Sequence, residues 1–333
     1  MIGITKYLRI GTDKKLSNKA LLMRFAPLLS LLLLMLFFSL SSPYFLNTDN
    51  LMTIALQTSV IGILAIGVTY VIITAGIDLS LGSVVAFSGV LVGLAASYGL
   101  PISLCVLAGV LGGWICGYIN GFLVTKGAIP PFIATLGLMM SARGVNLVLT
   151  DGRALYFLQY PGFQTLAQGK LFNFLPYPVI YLLALAVGAA YILNKTVIGR
   201  YIYAVGSNEE AAHLSGIKVN RVKMFVYVFC GALTGIAGVV LASRLNSAQP
   251  TAGMGYELQA IAAVVIGGTS LMGGVGTIGG TIIGAFIMSV LNNGLNLVGV
   301  SQFWQMVAMG IVVVAAVYLD TVRKKNVVPR RHR

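Results

Sequence analysis

Charged side chains are scarce in this sequence. Asp, Glu, Lys and Arg make up 9% of its 333 residues, whereas hydrophobic residues make up 58% and the mean hydropathy is +0.92. This composition excludes a soluble globular domain, and the length excludes a single membrane anchor. The apolar runs have the length of helices, which satisfy their own backbone hydrogen bonds in lipid. We therefore predict an all-α, polytopic membrane protein.

Acidic residues are few in this sequence, and a nucleotide-binding motif is absent from it. Of the 8 acidic residues, only Asp78 and Glu257 come near the predicted spans, both at span ends. Ion-coupled carriers generally need carboxylates within the membrane. A Gly-x4-Gly-Lys-Ser/Thr phosphate loop is also missing, because Gly169-Lys170 lacks both the upstream glycine and the following hydroxyl residue. We infer that the cargo is neutral and that a separate chain supplies the energy.

Cysteine and histidine are too few for catalytic or metal chemistry. Cys105, Cys116 and Cys230 are an odd number, and each falls inside an apolar run, which excludes a disulfide framework and a metal-ligand spacing. His213 and His332 lie outside the spans and far from any cysteine. We predict no catalytic residue, no metal and no cofactor in this chain, and no membrane enzyme.

Basic residues are plentiful, with a net charge of +14, but their placement argues against a nucleic-acid partner. Eighteen of the 22 Lys and Arg residues fall in the tails 1–24 and 321–333, at Lys126, or in the loop 194–223. Three, Arg153, Lys170 and Arg244, fall on the other side of the predicted topology. The positive-inside rule thus assigns both termini and that loop to the cytoplasm, with residues 25–320 forming the transmembrane domain.

About ten spans are predicted from the apolar runs. They cover residues 25–40, 51–74, 83–98, a fourth run from Pro101, 132–149, 179–193, 224–242, an eighth run from Leu258, 277–297 and 303–319. No small-x-small cleavage site follows the first run, so we read it as an uncleaved span rather than a signal peptide. Gln57, Thr58 and Ser59 in the second span are expected to face the bundle interior.

Two glycine-rich interruptions, TAGIDLSLGS after the second span and GGTSLMGG after the eighth, predict broken or re-entrant elements. Asp78 can be the N-cap of the next helix or can mark a broken helix at a substrate path, and both readings can hold. Asn292 and Asn296 share one helix face, where they can contact hydroxyl groups or join helices. The candidate path residues are Gln57, Asp78, Ser80, Ser83, Thr269, Ser270, Asn292 and Asn296.

Two further features of the spans indicate packing. Glycines recur at every fourth position from Gly109 to Gly121, and Gly231 and Gly235 repeat that spacing, which permits close approach of helices. Arg143, the one basic residue placed inside a span, is interpreted as a structural charge hydrogen-bonded to carbonyls, with a functional role as the alternative.

The longest polar interruption runs from Gly199 to Lys223. Ser207 and Glu210 have the spacing of a capping box, Glu209 adds charge at the amino end, and Gly216 is a suitable stop, so we predict a short helix of about two turns. Leu214, Ile217 and Val219 would leave apolar surface there. Such a patch indicates a partner, although a helix tucked against its own bundle is the alternative.

Several motifs resemble a known family. The run Glu210-Ala-Ala-x-x-x-Gly216 is similar to the EAA-x-x-x-G coupling loop of ABC importer permeases, although the Leu-Pro continuation of many importers is missing. GIDLSxGS, SAQPTAGMGYELQAIAAVVIGGTSL and LNNGLNLVGVSQF are similar to the ribose-type branch, over residues 43 to about 305.

That resemblance implies a bacterial inner-membrane permease for a neutral sugar, ribose first, working as a homodimer in membrane lipid. It also implies an ATPase that binds ATP and Mg²⁺, and a periplasmic sugar-binding protein, for which the aromatic-rich loop 151–178 is the candidate surface. The alternative is a secondary carrier or facilitator that works without an ATPase. The predicted ATPase contact comprises Ser207, Asn208, Glu209, Glu210, Ala211, Ala212, His213, Leu214, Ser215 and Gly216.

Overall fold

The computed structural model describes residues 14–157 and 160–327. The predicted tail segments 1–13 and 328–333, with His332, lie outside the described residues. The described part of the chain forms helices α1 (Lys14–Ser41), α2 (Thr48–Ile73), α3 (Leu81–Ser97), α4 (Ile102–Thr125), α5 (Pro131–Thr150), α6 (Pro161–Gln168), α7 (Tyr177–Lys195), α8 (Val197–Ser207), α9 (Glu209–Leu214), α10 (Val219–Leu245), α11 (Tyr256–Ile266), α12 (Ile278–Leu297) and α13 (Gln302–Val327). It also forms four two-residue strands, β1 (Leu155–Tyr156), β2 (Lys170–Leu171), β3 (Leu175–Pro176) and β4 (Ser247–Ala248).

Every predicted apolar run lies in a helix. Among the described residues, six helices are long and apolar enough to cross a membrane: α2, α4, α5, α7, α10 and α12. Residues 25–41 of α1, all of α3 and α11, and residues 302–318 of α13 are apolar but shorter. The prediction of a largely helical, multi-pass membrane protein is therefore confirmed, because several segments match the thickness of a bilayer core.

Helices α2 and α10 form the centre of the bundle. Nearly all of α2 from Thr58 onward is buried, and α10 packs against α2, α3 and α4. α12 packs against α2, α11 and α1, whereas α7 covers another face of α2. Thr58 and Ser59 are fully buried and donate to the carbonyls of Ile54 and Ala55, as expected for hydroxyl groups inside a bundle.

The glycines of α4 and α10 bring these two helices into backbone contact. A Cβ added at Gly113 would lie 2.5 Å from Cα of Gly235, and one added at Gly231 would lie 2.6 Å from Cα of Gly117. Side chains cannot enter such a contact, so the predicted close packing of the fourth and seventh spans is confirmed.

The segment from Asp151 to Pro178 contains more structure than the predicted loop. Strand β1 pairs antiparallel with β4, with Leu155 opposite Ala248, and β2 pairs with β3 in a small hairpin. Phe157 and Phe163 are buried against each other, which anchors α6 to the bundle. At the hairpin tip, Phe172 is 91% exposed, a surface feature suited to a partner.

Candidate coupling segment and translocation path

The polar stretch after α7 contains two helices rather than one. Thr196 caps α8 by accepting from the Gly199 amide at 3.3 Å, and Asn208 caps α9, its Oδ1 accepting from the Ala211 amide at 2.8 Å. The predicted Ser207–Glu210 capping box is wrong, because Ser207 is the last residue of α8 and donates instead to the Tyr203 carbonyl. We call residues Val197–Gly216 the coupling segment.

The second helix of the coupling segment is largely open to its surroundings. Of the six residues of α9, which the structure describes in full, Ala212 alone is buried. Leu214 is 80% exposed, whereas Val219 is buried at the start of α10, so the predicted apolar surface is smaller than expected. Gly216 ends the turn with φ of +83°, as predicted.

The two glutamates at the start of α9 differ in their contacts. Both oxygens of Glu209 accept from Lys223 Nζ at 2.7 Å, which ties α9 to α10. Glu210 is exposed and makes no salt bridge to any described residue. Beside them lies a groove of ≈1190 Å³ between α9, the start of α10 and the end of α4, with Trp114 and Tyr118 stacked along one wall. The exposed charge of Glu210 and this groove together form a surface that a partner protein can contact.

The coupling segment touches both predicted breaks through α8. The Tyr203 hydroxyl donates to the Gly276 carbonyl at 2.7 Å, and the Gly274 amide donates to the Ile73 carbonyl at 2.9 Å. A Cβ added at Gly206 would meet the Ile73 carbonyl and would lie 2.7 Å from the Gly274 amide. We call this three-way contact of α8, the end of α2 and the second break the junction.

The first break, between Ile73 and Leu81, is held by buried hydrogen bonds around Asp78. Its carboxylate accepts from the Ser80 amide at 2.9 Å and from the Ser80 hydroxyl at 2.6 Å, and Asn120 donates to Ser80 Oγ at 3.0 Å. Asp78 is 2% exposed. Ser80, not Asp78, occupies the N-cap position of α3, so the N-cap reading of Asp78 is wrong: the carboxylate instead fixes the turn before the helix.

The second break runs from Gly267 to Thr277. The Ser270 amide donates to the Val275 carbonyl at 3.0 Å, and Gly268, Gly273 and Gly274 adopt positive φ. Thr269 is fully buried, and its hydroxyl has no hydrogen-bond partner among the described residues. Irregular backbone of this kind is tolerated at membrane depth where protein surrounds it or where it lines a cavity.

Arg143 has a carboxylate partner rather than the carbonyls we expected. Its guanidinium donates to Glu257 at 3.2 Å, joining α5 to the first turn of α11. One turn along α5, Asn146 donates to the Ser83 carbonyl at 3.2 Å, so both contacts hold α5 against the start of α3 and α11.

The predicted path residues fall into separate groups. Asp78 and Ser80 belong to the first break, Ser83 lies beside it in the first turn of α3, and Thr269 and Ser270 belong to the second break. Gln57 and Asn292 come together in a small polar cavity of ≈100 Å³ between α2, α10, α11 and α12. Asn296 is exposed one turn away, where it accepts from Gln305 at 2.7 Å.

Several residues of these sites escaped sequence reasoning. Asn120 lies on the fourth span, Gln259 and Ser289 line the cavity, and Tyr203 and Gly206 form the junction. The polar character of Asn120 and Gln259 inside apolar runs was a usable signal. Nothing in the linear sequence pairs Tyr203 with Gly276.

Comparisons with known proteins agree with this architecture. A family described as "Branched-chain amino acid transport system / permease component" matches residues 50–317. The chain is 47% identical over 316 residues to the ribose import permease protein RbsC of Bacillus subtilis, covering 94% of this chain and 97% of that protein. It is 46% identical to the protein of that name from Haemophilus influenzae, covering 88% and 91%. It is 40% identical to the D-allose transport system permease protein AlsC of Escherichia coli, covering 87% and 89%. No solved structure matches the chain.

The helices long enough to cross a membrane, taken with the permease family match, show a multi-pass membrane transport protein of the bacterial cytoplasmic membrane. Within that class, the chain belongs to the permease-component family that matches residues 50–317. The resemblance to the ribose-type branch is confirmed by the high identity over nearly the whole chain.

Proposed function

We propose that the chain is the membrane-spanning permease subunit of an ATP-binding-cassette importer for a neutral sugar, ribose first. The observation that carries the proposal is the exposed helix α9, with its Glu-Ala-Ala-x-x-x-Gly sequence, joined through α8 to both broken elements. The ribose permeases to which the chain is nearly half identical support the choice of cargo.

In this proposal, ten helices cross the membrane and both termini lie in the cytoplasm. Residues 1–24 and 321–333 form the cytoplasmic tails, 25–320 the permease domain, and 194–223 the cytoplasmic loop. An ATPase that holds ATP and Mg²⁺ docks on Ser207 to Gly216, and its closure moves the coupling segment. A second copy of this chain completes the path within the lipid bilayer, and a periplasmic sugar-binding protein docks on the opposite face, at the segment with exposed Phe172.

The alternative is a secondary carrier that works without an ATPase. Among the described residues, the buried carboxylates are Asp78 and Glu257, and each is engaged: Asp78 by Ser80, and Glu257 by Arg143. A relay or ion site needs carboxylates that exchange partners with a coupling ion. The observed contacts therefore favour an external motor.

Reconstitution in liposomes separates the two functions. We expect the purified chain alone to accumulate no D-ribose under an imposed proton or sodium gradient. Together with an ATPase and a sugar-binding protein of the same importer, with ATP enclosed in the liposome and the sugar-binding protein outside, it should accumulate D-ribose. Gradient-driven accumulation by the lone chain would overturn the proposal.

Two adjacent glutamates test the docking surface. Because Glu210 is exposed, Glu210→Gln should lower affinity for the ATPase about tenfold, as expected for the loss of a charged hydrogen bond, without changing the unfolding temperature. Glu209→Gln, on the same surface, weakens the bond to Lys223 and should cost about 0.2–1 kcal/mol of stability, but it should lower ATPase affinity less than Glu210→Gln because Glu209 already has a partner. Equal losses of ATPase affinity in the two variants would show that Glu210 makes no special contact with the ATPase.

A further inference from the structure

The small polar cavity has an unusual lining for a membrane protein. It is bounded by Gln57 and Ile61 of α2, Arg244 of α10, Tyr256 and Gln259 of α11, and Ser289 and Asn292 of α12. Within the described part of the chain, no carboxylate lines it. Polar side chains are costly next to lipid, so a group from four helices that converges on one space calls for a polar occupant.

Two atoms at this cavity are left without partners. Gln57 Oε1 and Ser289 Oγ are buried and have no hydrogen-bond partner among the described residues. Ser289 is 4% exposed. Hydroxyl groups elsewhere on these helices, such as Thr58 and Thr69, donate to the carbonyl four residues back, whereas Ser289 has no such bond. An unpaired buried polar atom costs about 1–3 kcal/mol, which a bound molecule can recover.

The chemistry of the lining selects the class of ligand. Gln57 Oε1 is an acceptor and requires a donor, which a hydroxyl supplies and a phosphate or carboxylate does not. The amide and hydroxyl side chains of the lining, together with the donor-only guanidinium of Arg244, match the mixed donors and acceptors of a polyol. At about 10–15 Å³ for each water molecule, a cavity of ≈100 Å³ holds a handful of waters or one pentose-sized molecule.

The position of the cavity relative to the coupling segment is also relevant to transport. Arg244 lies in the last turn of α10, whose first turns adjoin α9, so the cavity is at the end of the bundle opposite the coupling segment. Gln57 and Ile73 lie on one helix, roughly 24 Å apart along its axis, so α2 joins the cavity to the junction.

We propose that this cavity is a binding site for one neutral, monosaccharide-sized polyol, at which the permease itself selects its cargo. The proposal rests on the transport function above and deepens it, because Gln57, Gln259, Ser289 and Asn292 then act as specificity residues rather than as the wall of a passive conduit.

Thiol protection tests the site in the isolated full-length permease. Ser289→Cys places a thiol at the cavity, and D-ribose should protect it from a methanethiosulfonate reagent. Ribose 5-phosphate and sucrose should not protect it, because the first is anionic and the second exceeds the cavity. Ser97→Cys is the labelling control, because Ser97 is exposed at the end of α3 and its thiol should react equally with and without D-ribose. Ser88, which is buried and unpartnered on α3 away from the cavity, provides the control for the uptake measurement. The native cysteines are buried, which keeps background labelling low.

Lack of protection by D-ribose at Ser289→Cys, or equal protection by ribose 5-phosphate, would overturn the inference. Where Ser289→Cys proves unstable, uptake by the complete transporter gives a second measurement. Ser289→Ala and Asn292→Ala should lower the D-ribose uptake rate about five- to tenfold, with sugar-independent ATP hydrolysis unchanged and Ser88→Ala unaffected. If wild-type uptake requires ATP but all three variants take up D-ribose at the wild-type rate, the proposed transport function is supported and the proposed binding site is excluded.

Discussion

At the scale of single residues, the junction depends on one position having no side chain. Gly206 of α8 faces the Ile73 carbonyl and the Gly274 amide, which are backbone atoms that cannot rotate away. Glycine is therefore required for α8 to contact both the end of α2 and the second break. The residue lies four positions before the Glu-Ala-Ala motif, outside the part of the loop that sequence reasoning assigned to docking.

Replacing this glycine tests that requirement. Gly206→Ala places a methyl group 2.7 Å from the Gly274 amide and should destabilise the fold by about 1–3 kcal/mol. Gly188→Ala on α7 is the control, because an added Cβ there meets nothing within 4 Å and alanine is the better helix former. Unfolding temperature in detergent is the measurement. Identical behaviour of the two variants would show that the junction tolerates a side chain.

The residues that end or cap a helix could be predicted where they depend on their immediate neighbours in the sequence. Gly216 was expected to stop α9 and does so, because a left-handed residue after a helix favours glycine. The cap of α9 was assigned to Ser207 and is Asn208, one residue later. Serine and asparagine both cap helices well, so the position of the cap depended on where the preceding helix α8 ends. From the sequence we predicted a loop there and did not predict α8.

At the scale of elements, long apolar helices were predictable and α8 was not. Hydrophobic length alone locates a span, and each predicted run lies within a helix. α8 is short and lies in a stretch that we read as a polar loop. Its signal was present, since Ile198, Ile202 and Val205 have helical spacing behind the Thr196 cap.

This helix is the element that transmits motion in the proposed function. α8 follows α7 directly and precedes the exposed α9, and its inner face meets the second break at Gly276. A force applied to α9 therefore reaches the broken elements through helix α8. A rigid connection is needed, because packed elements shift between discrete arrangements rather than deform smoothly.

Loss of one hydroxyl tests that connection. Tyr203→Phe removes the bond to the Gly276 carbonyl, worth about 1 kcal/mol, while keeping the ring. We expect fewer sugar molecules transported per ATP hydrolysed, with ATPase affinity unchanged. Tyr201→Phe is the control, because that tyrosine lies on the same helix and is exposed. An unchanged transport ratio in Tyr203→Phe would show that α8 does not act through this bond.

At the scale of the whole molecule, α2 and α12 connect the two ends of the bundle. They flank the polar cavity through Gln57 and Asn292, and they adjoin the breaks through Ile73 and Thr277. The sequence showed which polar residues were available, but not that Gln57 meets Asn292, because contacts between distant helices depend on how the helices pack. For the same reason the Arg143 and Glu257 pair was not predicted.

A buried pair of hydroxyl groups joins these two helices close to the two breaks, in the last part of α2 and the first turn of α12. Thr69 Oγ1 and Thr281 Oγ1 are 2.8 Å apart, and both residues are fully buried. If the cavity opens alternately to the two sides of the membrane, α2 and α12 must separate below it, as in the rocking of one bundle against another. The contact between the two threonines would then break once in each cycle.

A disulfide at this contact would hold the helices together. Because the two hydroxyl oxygens are 2.8 Å apart, the sulfur atoms of Thr69→Cys and Thr281→Cys would lie close to each other, and a disulfide needs them about 2.0 Å apart. We expect oxidation of the double variant to stop D-ribose uptake, and reductant to restore it. Each single variant, treated with the same oxidant, should retain uptake and thereby controls for damage. Uptake that continues after complete cross-linking would show that the cargo crosses without separation of α2 from α12.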